Sequence, residues 1–274
     1  NLPMTEIGDF MAYDMLDVEP HEDISCPDFF KLGDKWVLLL ISHSRGARYY
    51  IGDWINNKFF PESHKRINFP GGPIFAPESL LDDQGRRIMW AWLYDGKTRE
   101  QIKNVGSSNG VMSMPRVIEL SNDGLSLKFS PPEEIRNLRY NYSGINNEFI
   151  VSPNEKITLD KIKGNSLEIF IEIDPLESKN FGLNVLKSKD GSEKTKIYID
   201  KNESILGIDF SKSSIQNPKY SKYMMIKGDE YKNQMTKVQK APFKINNGEI
   251  VKFRVFIDKS IIEVFVNDGM QSIT

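Results

Sequence analysis

Cysteine, histidine and long apolar runs are all scarce in this sequence, and each shortage removes a class of protein. The single cysteine, Cys26, excludes an internal disulfide framework and any metal site built on cysteines; it reads as a small buried hydrophobe. The three histidines, His21, His43 and His64, stand in no Ser/His/Asp order and at no metal-ligand spacing, so they read as surface or hydrogen-bonded residues. No stretch approaches the ~20 apolar residues of a membrane-spanning helix. The longest apolar run, Trp36 to Ile41, has the length of a buried strand. Charge of one sign is missing too. With 36 basic and 38 acidic residues spread along the chain, there is no basic face for nucleic acid or an anionic membrane. The opening Asn1-Leu2-Pro3-Met4 has neither the basic stretch nor the apolar core of a signal peptide, and the chain reads as a trimmed or partial product.

What is present is the balance of a folded protein: 39% hydrophobic and 27% charged residues over 274 positions, enough for two domains. The pattern is strand nearly everywhere. Trp36–Ser42, Arg48–Gly52, Ile88–Trp92, Val117–Leu120 and Leu125–Phe129 are short aromatic and branched runs separated by turns at Gly33, Gly85 and Gly124. Those glycines lie 52 and then 39 residues apart, about the length of a four-stranded propeller blade. Past Asn137–Ser152 the strands lengthen and alternate cleanly. Leu167, Ile169, Ile171 and Ile173 share one face, as do Val251, Phe253, Val255 and Ile257, the pattern of a β-sandwich. Asp258-Lys259-Ser260 and Asn267-Asp268-Gly269 read as hairpin turns. The domain boundary is expected near residue 140, giving units 1–139 and 140–274.

Two segments carry residue types suited to chemistry. In Ser25-Cys26-Pro27-Asp28-Phe29-Phe30, Pro27 marks a strand entrance or edge, from which side chains can reach a cleft. The plainer reading has Asp28 capping a turn and both phenylalanines in the core. In Phe75-Ala76-Pro77-Glu78-Ser79, a carboxylate precedes Trp90 and Trp92, a combination that suits a sugar. Aromatic faces stack on sugar rings while carboxylates and arginines hold hydroxyls. Equally, two tryptophans two positions apart simply fill a blade interface. Asn141-Tyr142-Ser143 and Asn202-Glu203-Ser204 match the glycosylation pattern, which is frequent by chance.

Taken together these segments resemble glycoside hydrolase family 32, the invertases, levanases and inulinases. Cys26-Pro27-Asp28-Phe29-Phe30 with Tyr49-Tyr50-Ile51-Gly52-Asp53 looks like the family's third blade, and Phe75-Ala76-Pro77-Glu78-Ser79 with Arg86-Arg87-Ile88-Met89-Trp90-Ala91-Trp92 like its fourth. Met114-Pro115-Arg116-Val117-Ile118-Glu119-Leu120 looks like the fifth, and Phe256 to Gly269 is similar to the family's closing hairpin. The resemblance implies an all-β chain: the C-terminal blades of a five-bladed β-propeller followed by a β-sandwich. It also implies a β-fructoside substrate of the sucrose, levan or inulin type, a secreted, periplasmic or cell-surface location set by that substrate, and no metal or organic cofactor.

The departures from the family bear on function. Its aspartate nucleophile lies in an Asn-Asp-Pro-Asn motif and a second aspartate in an Arg-Asp-Pro motif; neither occurs here. The family's acid/base glutamate directly precedes Cys-Pro-Asp, where this chain has Ser25. A serine hydroxyl has no accessible acid pKa with which to protonate a leaving group, so this chain alone is expected to be inactive. Glu22 and Glu78 are the candidates for a relocated acid in the intact protein. Ser25, Asp28, Arg48 and Glu78 are the candidate substrate contacts. The alternatives are a non-catalytic carbohydrate-binding protein on the same scaffold, which Ser25 favours, and a structural or adhesive all-β protein.

Overall fold

Short runs of branched and aromatic residues between turn-forming Gly and Asn cannot sustain helices, and they pair as strands. The structure, a computed structural model, describes residues 10–12, 24–42, 46–94, 110–145, 147–215 and 236–274. The only helix among the described residues is a 3-10 segment, Glu133–Leu138. Two compact units divide the chain between Ser130 and Pro131.

The first unit holds two antiparallel meanders of the propeller-blade kind. One is β1 (Ile24–Leu32), β2 (Lys35–Ser42), β3 (Gly46–Ile55) and β4 (Lys58–Arg66), hydrogen-bonded in chain order. The other is built from β5 (Ile74–Leu81), β6 (Arg87–Leu93), β7 (Val111–Met112), β8 (Arg116–Leu120) and β9 (Leu127–Ser130), in the order β5-β6-β8-β9 with β7 beside β6. Gly33 and Gly85 close the first hairpin of each sheet at φ +62° and +77°, a backbone that side-chain-bearing residues rarely adopt.

That topology corrects the expectation of three blades before the boundary. The Met114–Leu120 cluster supplies β8, the third strand of the second sheet, with Arg87 opposite Ile118 and Met89 opposite Arg116. The longer glycine spacing, Gly33 to Gly85, runs from one sheet to the next. The shorter, Gly85 to Gly124, stays inside one sheet, because Gly124 turns β8 into β9.

Alternation along β2 and β3 gives the first sheet two apolar faces. On one, Val37, Leu39, Ile41, Tyr49 and Ile51 are buried, and the Leu127 N–H donates to the Tyr49 hydroxyl at 3.1 Å, tying β3 to the second sheet. On the other, Leu38, Leu40, Tyr50 and Phe59 form a cluster joined by Phe29, Trp36 and Trp54. Phe29 stacks on Trp36 with ring centroids 4.7 Å apart.

The second unit contains β10 (Ser166–Ile173), β11 (Asn180–Val185), β12 (Lys194–Asp200), β13 (Ile205–Lys212), β14 (Val238–Pro242), β15 (Val251–Asp258), β16 (Ile261–Val266) and β17 (Gln271–Ile273). They form two four-stranded sheets, β10-β15-β16-β17 and β11-β12-β13-β14. Lys259 and Asn267-Asp268-Gly269 turn at positive φ, as the hairpin reading requires. Val251, Phe253, Val255 and Ile257 are fully buried, whereas their partners Leu167, Ile169, Ile171 and Ile173 are only half-buried. The difference is positional: β15 is flanked on both sides, and β10 is the sheet edge.

Candidate functional site

The opening strand of each sheet in the first unit carries the same irregularity. β1 slips register against β2 between Ser25 and Asp28, and β5 slips against β6 between Phe75 and Glu78. In each bulge a proline takes an N–H out of the ladder, and the residue before it is left-handed: Cys26 at φ 51° and Ala76 at φ 44°. Such backbone is uncommon for residues with a Cβ and costs on the order of 1–3 kcal/mol, so the surrounding sheet must hold it. Each bulge ends on a carboxylate, Asp28 in one and Glu78 in the other.

The two carboxylates sit in opposite environments. Asp28 is enclosed and bound on both oxygens. Its Oδ2 accepts from the Ser79 N–H at 2.9 Å and from the Ser79 hydroxyl, and its Oδ1 faces Arg87 Nη2 at 3.2 Å. Arg87 also donates from Nε to Ser79 Oγ at 2.9 Å, and its guanidinium lies 4.0 Å from the Phe30 ring centroid. Glu78 is exposed and has no hydrogen-bond or ion-pair partner among the described residues. Desolvation against the sheet, and after it the Asp28 charge, raise its carboxyl above the ordinary range. Burial and then the Glu78 charge raise the Cys26 thiol in the same way, so Cys26, Asp28 and Glu78 share one electrostatic neighbourhood. Beside it Phe75 meets Trp92 edge-on at 5.9 Å, and Trp92 meets Tyr94 at 4.9 Å, all three half-buried.

The other expected contacts are placed differently. Ser25 opens the first bulge opposite Ile41 and is half-buried. Arg48 is 1% exposed and donates to the Ser42 hydroxyl inside the first sheet, away from any open surface. Asp28 directs both oxygens at the second sheet, to Ser79 and Arg87. Glu22, His21 and His43 lie outside the described residues. His64 stacks on the Tyr50 ring at 4.2 Å. Sequence reading passed over Ser79 and Arg87 as site residues. Only the register that sets them beside Asp28 gives them a role, although both stand within the quoted motifs. Among the described residues no group of three or more His, Cys, Asp or Glu could hold a metal ion.

An all-β chain of blade-like sheets, with carboxylates held on strained bulges in the opening strand of each sheet beside aromatic rings, carries residue types suited to a sugar. Comparison with known proteins gives the family. Residues 9–131 match the glycosyl hydrolases family 32 N-terminal domain, and residues 134–274 match the glycosyl hydrolases family 32 C terminal. The chain belongs to glycoside hydrolase family 32. It is 26% identical over 274 residues to a levanase of Bacillus subtilis, covering 91% of this chain and 38% of that protein. It is 24% identical over 265 residues to a sucrose-6-phosphate hydrolase of Zymomonas mobilis, covering 91% and 47%. The chain thus spans less than half the length of these curated relatives. Its fold is shared with fructan 1-exohydrolase IIa from Cichorium intybus (TM-score 0.72, 21% identity, 91% of this chain and 54% of that one). An exo-inulinase from Aspergillus awamori is similar as well (TM-score 0.72, 17% identity, 98% and 53%).

Proposed function

We propose that the protein carrying these two units hydrolyses β-fructosides of the sucrose, levan or inulin type, with Glu78 as the acid that protonates the leaving oxygen. The observation that carries this reading is the duplicated bulge, which presents two acids in neighbouring blades and binds up only one. Among the described residues Glu78 has no hydrogen-bond or ion-pair partner, and its carboxyl is raised, as a general acid requires, while Asp28 is committed to Ser79 and Arg87. Family membership and the levanase and sucrose-6-phosphate hydrolase relatives support the substrate class. The half-buried rings of Phe75, Trp92 and Tyr94 suit the face of a sugar.

The first unit supplies two blades of a five-bladed propeller and the second a β-sandwich. The attacking carboxylate comes from outside the 274 residues, and a retaining mechanism sets it about 5–5.5 Å from the acid. The 274-residue chain alone is therefore inactive. A polymeric or extracellular substrate places the protein outside the cytoplasm, without a cofactor.

Ser25 favours a second reading, a sugar-binding protein that kept the cleft and lost its acid. Release of reducing sugar from sucrose, levan and inulin by the full-length protein separates the two. Hydrolysis that collapses in Glu78→Gln and survives in Glu22→Gln supports the first. Fructoside binding without release supports the second, and collapse in Glu22→Gln alone moves the acid to Glu22.

A further inference from the structure

The sheets of a blade pair can be held together by apolar packing alone, yet here a charged knot ties one bulge to the other. Asp28 is the last residue of the first bulge, and Ser79 directly follows Glu78, the last residue of the second. Ser79 gives Asp28 both its N–H and its hydroxyl, and Arg87 bridges Asp28 and Ser79 from β6 while resting on Phe30 of β1. The Arg87 and Asp28 side chains are 16% and 12% exposed, so the knot is shielded from water, where charge-assisted hydrogen bonds hold geometry firmly. Each bulge is strained and would relax without a restraint at its end.

We infer that Asp28, Ser79 and Arg87 form a cross-sheet clamp that fixes Glu78 against the Cys26 bulge, and that Ser79 and Arg87 are positioning residues for the site. The clamp rests on the hydrolytic reading for its purpose but not for its existence. Opening it lets the second bulge relax and swings the Glu78 carboxylate away from Cys26. In a fructoside-cleaving protein it then misplaces the acid by a fraction of an ångström, which slows proton transfer more than it weakens binding.

Cys26, followed by mass spectrometry of its own peptide, makes the clamp readable without any turnover. Cys26 faces the Glu78 charge, Glu78 faces that of Asp28, and Asp28 in turn pairs with Arg87. In the full-length protein, iodoacetamide alkylation of Cys26 is followed against pH in wild type, Glu78→Gln, Ser79→Ala, Ser79→Thr and Arg87→Lys. Glu78→Gln removes the neighbouring charge and lowers the thiol midpoint. Ser79→Ala and Arg87→Lys are expected to lower it in the same direction and by no more, while Ser79→Thr, which keeps the hydroxyl, restores the wild-type curve. Sucrose kinetics add the second readout: about tenfold lower kcat in Ser79→Ala and Arg87→Lys, KM within about twofold, and recovery in Ser79→Thr. Wild-type alkylation curves for folded Ser79→Ala and Arg87→Lys overturn the clamp. So does a loss of melting temperature with neither the alkylation curve nor kcat per folded molecule moved. Shifted curves in a protein that cleaves no fructoside leave the clamp standing and end the hydrolytic reading.

Discussion

The contrast between Asp28 and Glu78 shows how little residue type says about role. Both follow a small residue and a proline, both close a bulge, and the sequence alone marked both as sugar contacts. What separates them is the partner each meets across the sheet interface, which local pattern does not encode. Arg48 makes the same point from the other side: a candidate substrate contact by sequence, it is enclosed beside Ser42. Tyr49 is a third case. Burial pushes its hydroxyl up to about 12, so it stays neutral and serves as the acceptor for the Leu127 N–H. Tyr49→Phe keeps the ring against Phe129 and strands that N–H. A loss of about 1–3 kcal/mol is expected in denaturant melts of the full-length protein. No loss would mean that water replaces the hydroxyl.

At the scale of elements, strand positions were largely legible because branched and aromatic runs alternate between positive-φ turns. Membership of sheets was not. Nothing local distinguishes a strand that opens a blade from one that continues it, so the Met114–Leu120 run looked like a new wedge until its pairing with β6 was seen. The bulges were invisible for a related reason. Pro27 and Pro77 announce an edge, but a register slip is a property of two strands. A third slip falls at Gly52, where an added Cβ would stand 2.0 Å from the Phe60 carbonyl oxygen and 2.6 Å from the Pro61 Cα. Gly52→Ala must therefore move β4 away from β3, with an expected cost of about 1–3 kcal/mol; an unchanged melting temperature would show the backbone gives way freely.

In the second unit, Glu168 on β10 receives Arg139 on both oxygens, at 2.6 and 2.7 Å, and Arg254 of β15 at 2.8 Å. Hydrogen bonds from Arg139, ahead of those from Arg254, hold its carboxyl below the ordinary glutamate range. A depressed folded pKa stabilises above the unfolded value of about 4.3, and that contribution disappears as pH falls through the folded pKa. Glu168→Gln should cost about 1–2 kcal/mol at neutral pH, since half-exposed Arg139 is screened by solvent. It should also flatten the loss of stability below about pH 4. A variant that tracks wild type through the acid limb would remove Glu168 from that role.

For the whole molecule, family membership was readable because six weak motifs fall in one order along the chain. The arrangement of the site was not, since it depends on the two blades meeting at Asp28, Ser79 and Arg87. With serine at position 25, the second bulge is where the proposed acid, Glu78, stands. General acid catalysis matters for a poor leaving group and little for a good one, and this sets the decisive comparison. In the full-length protein, Glu78→Gln should slow sucrose or levan hydrolysis by about 100-fold or more while leaving cleavage of an activated aryl β-fructofuranoside within about tenfold of wild type. An equal loss on both substrates, or none on either, would contradict the assignment of Glu78 as the acid.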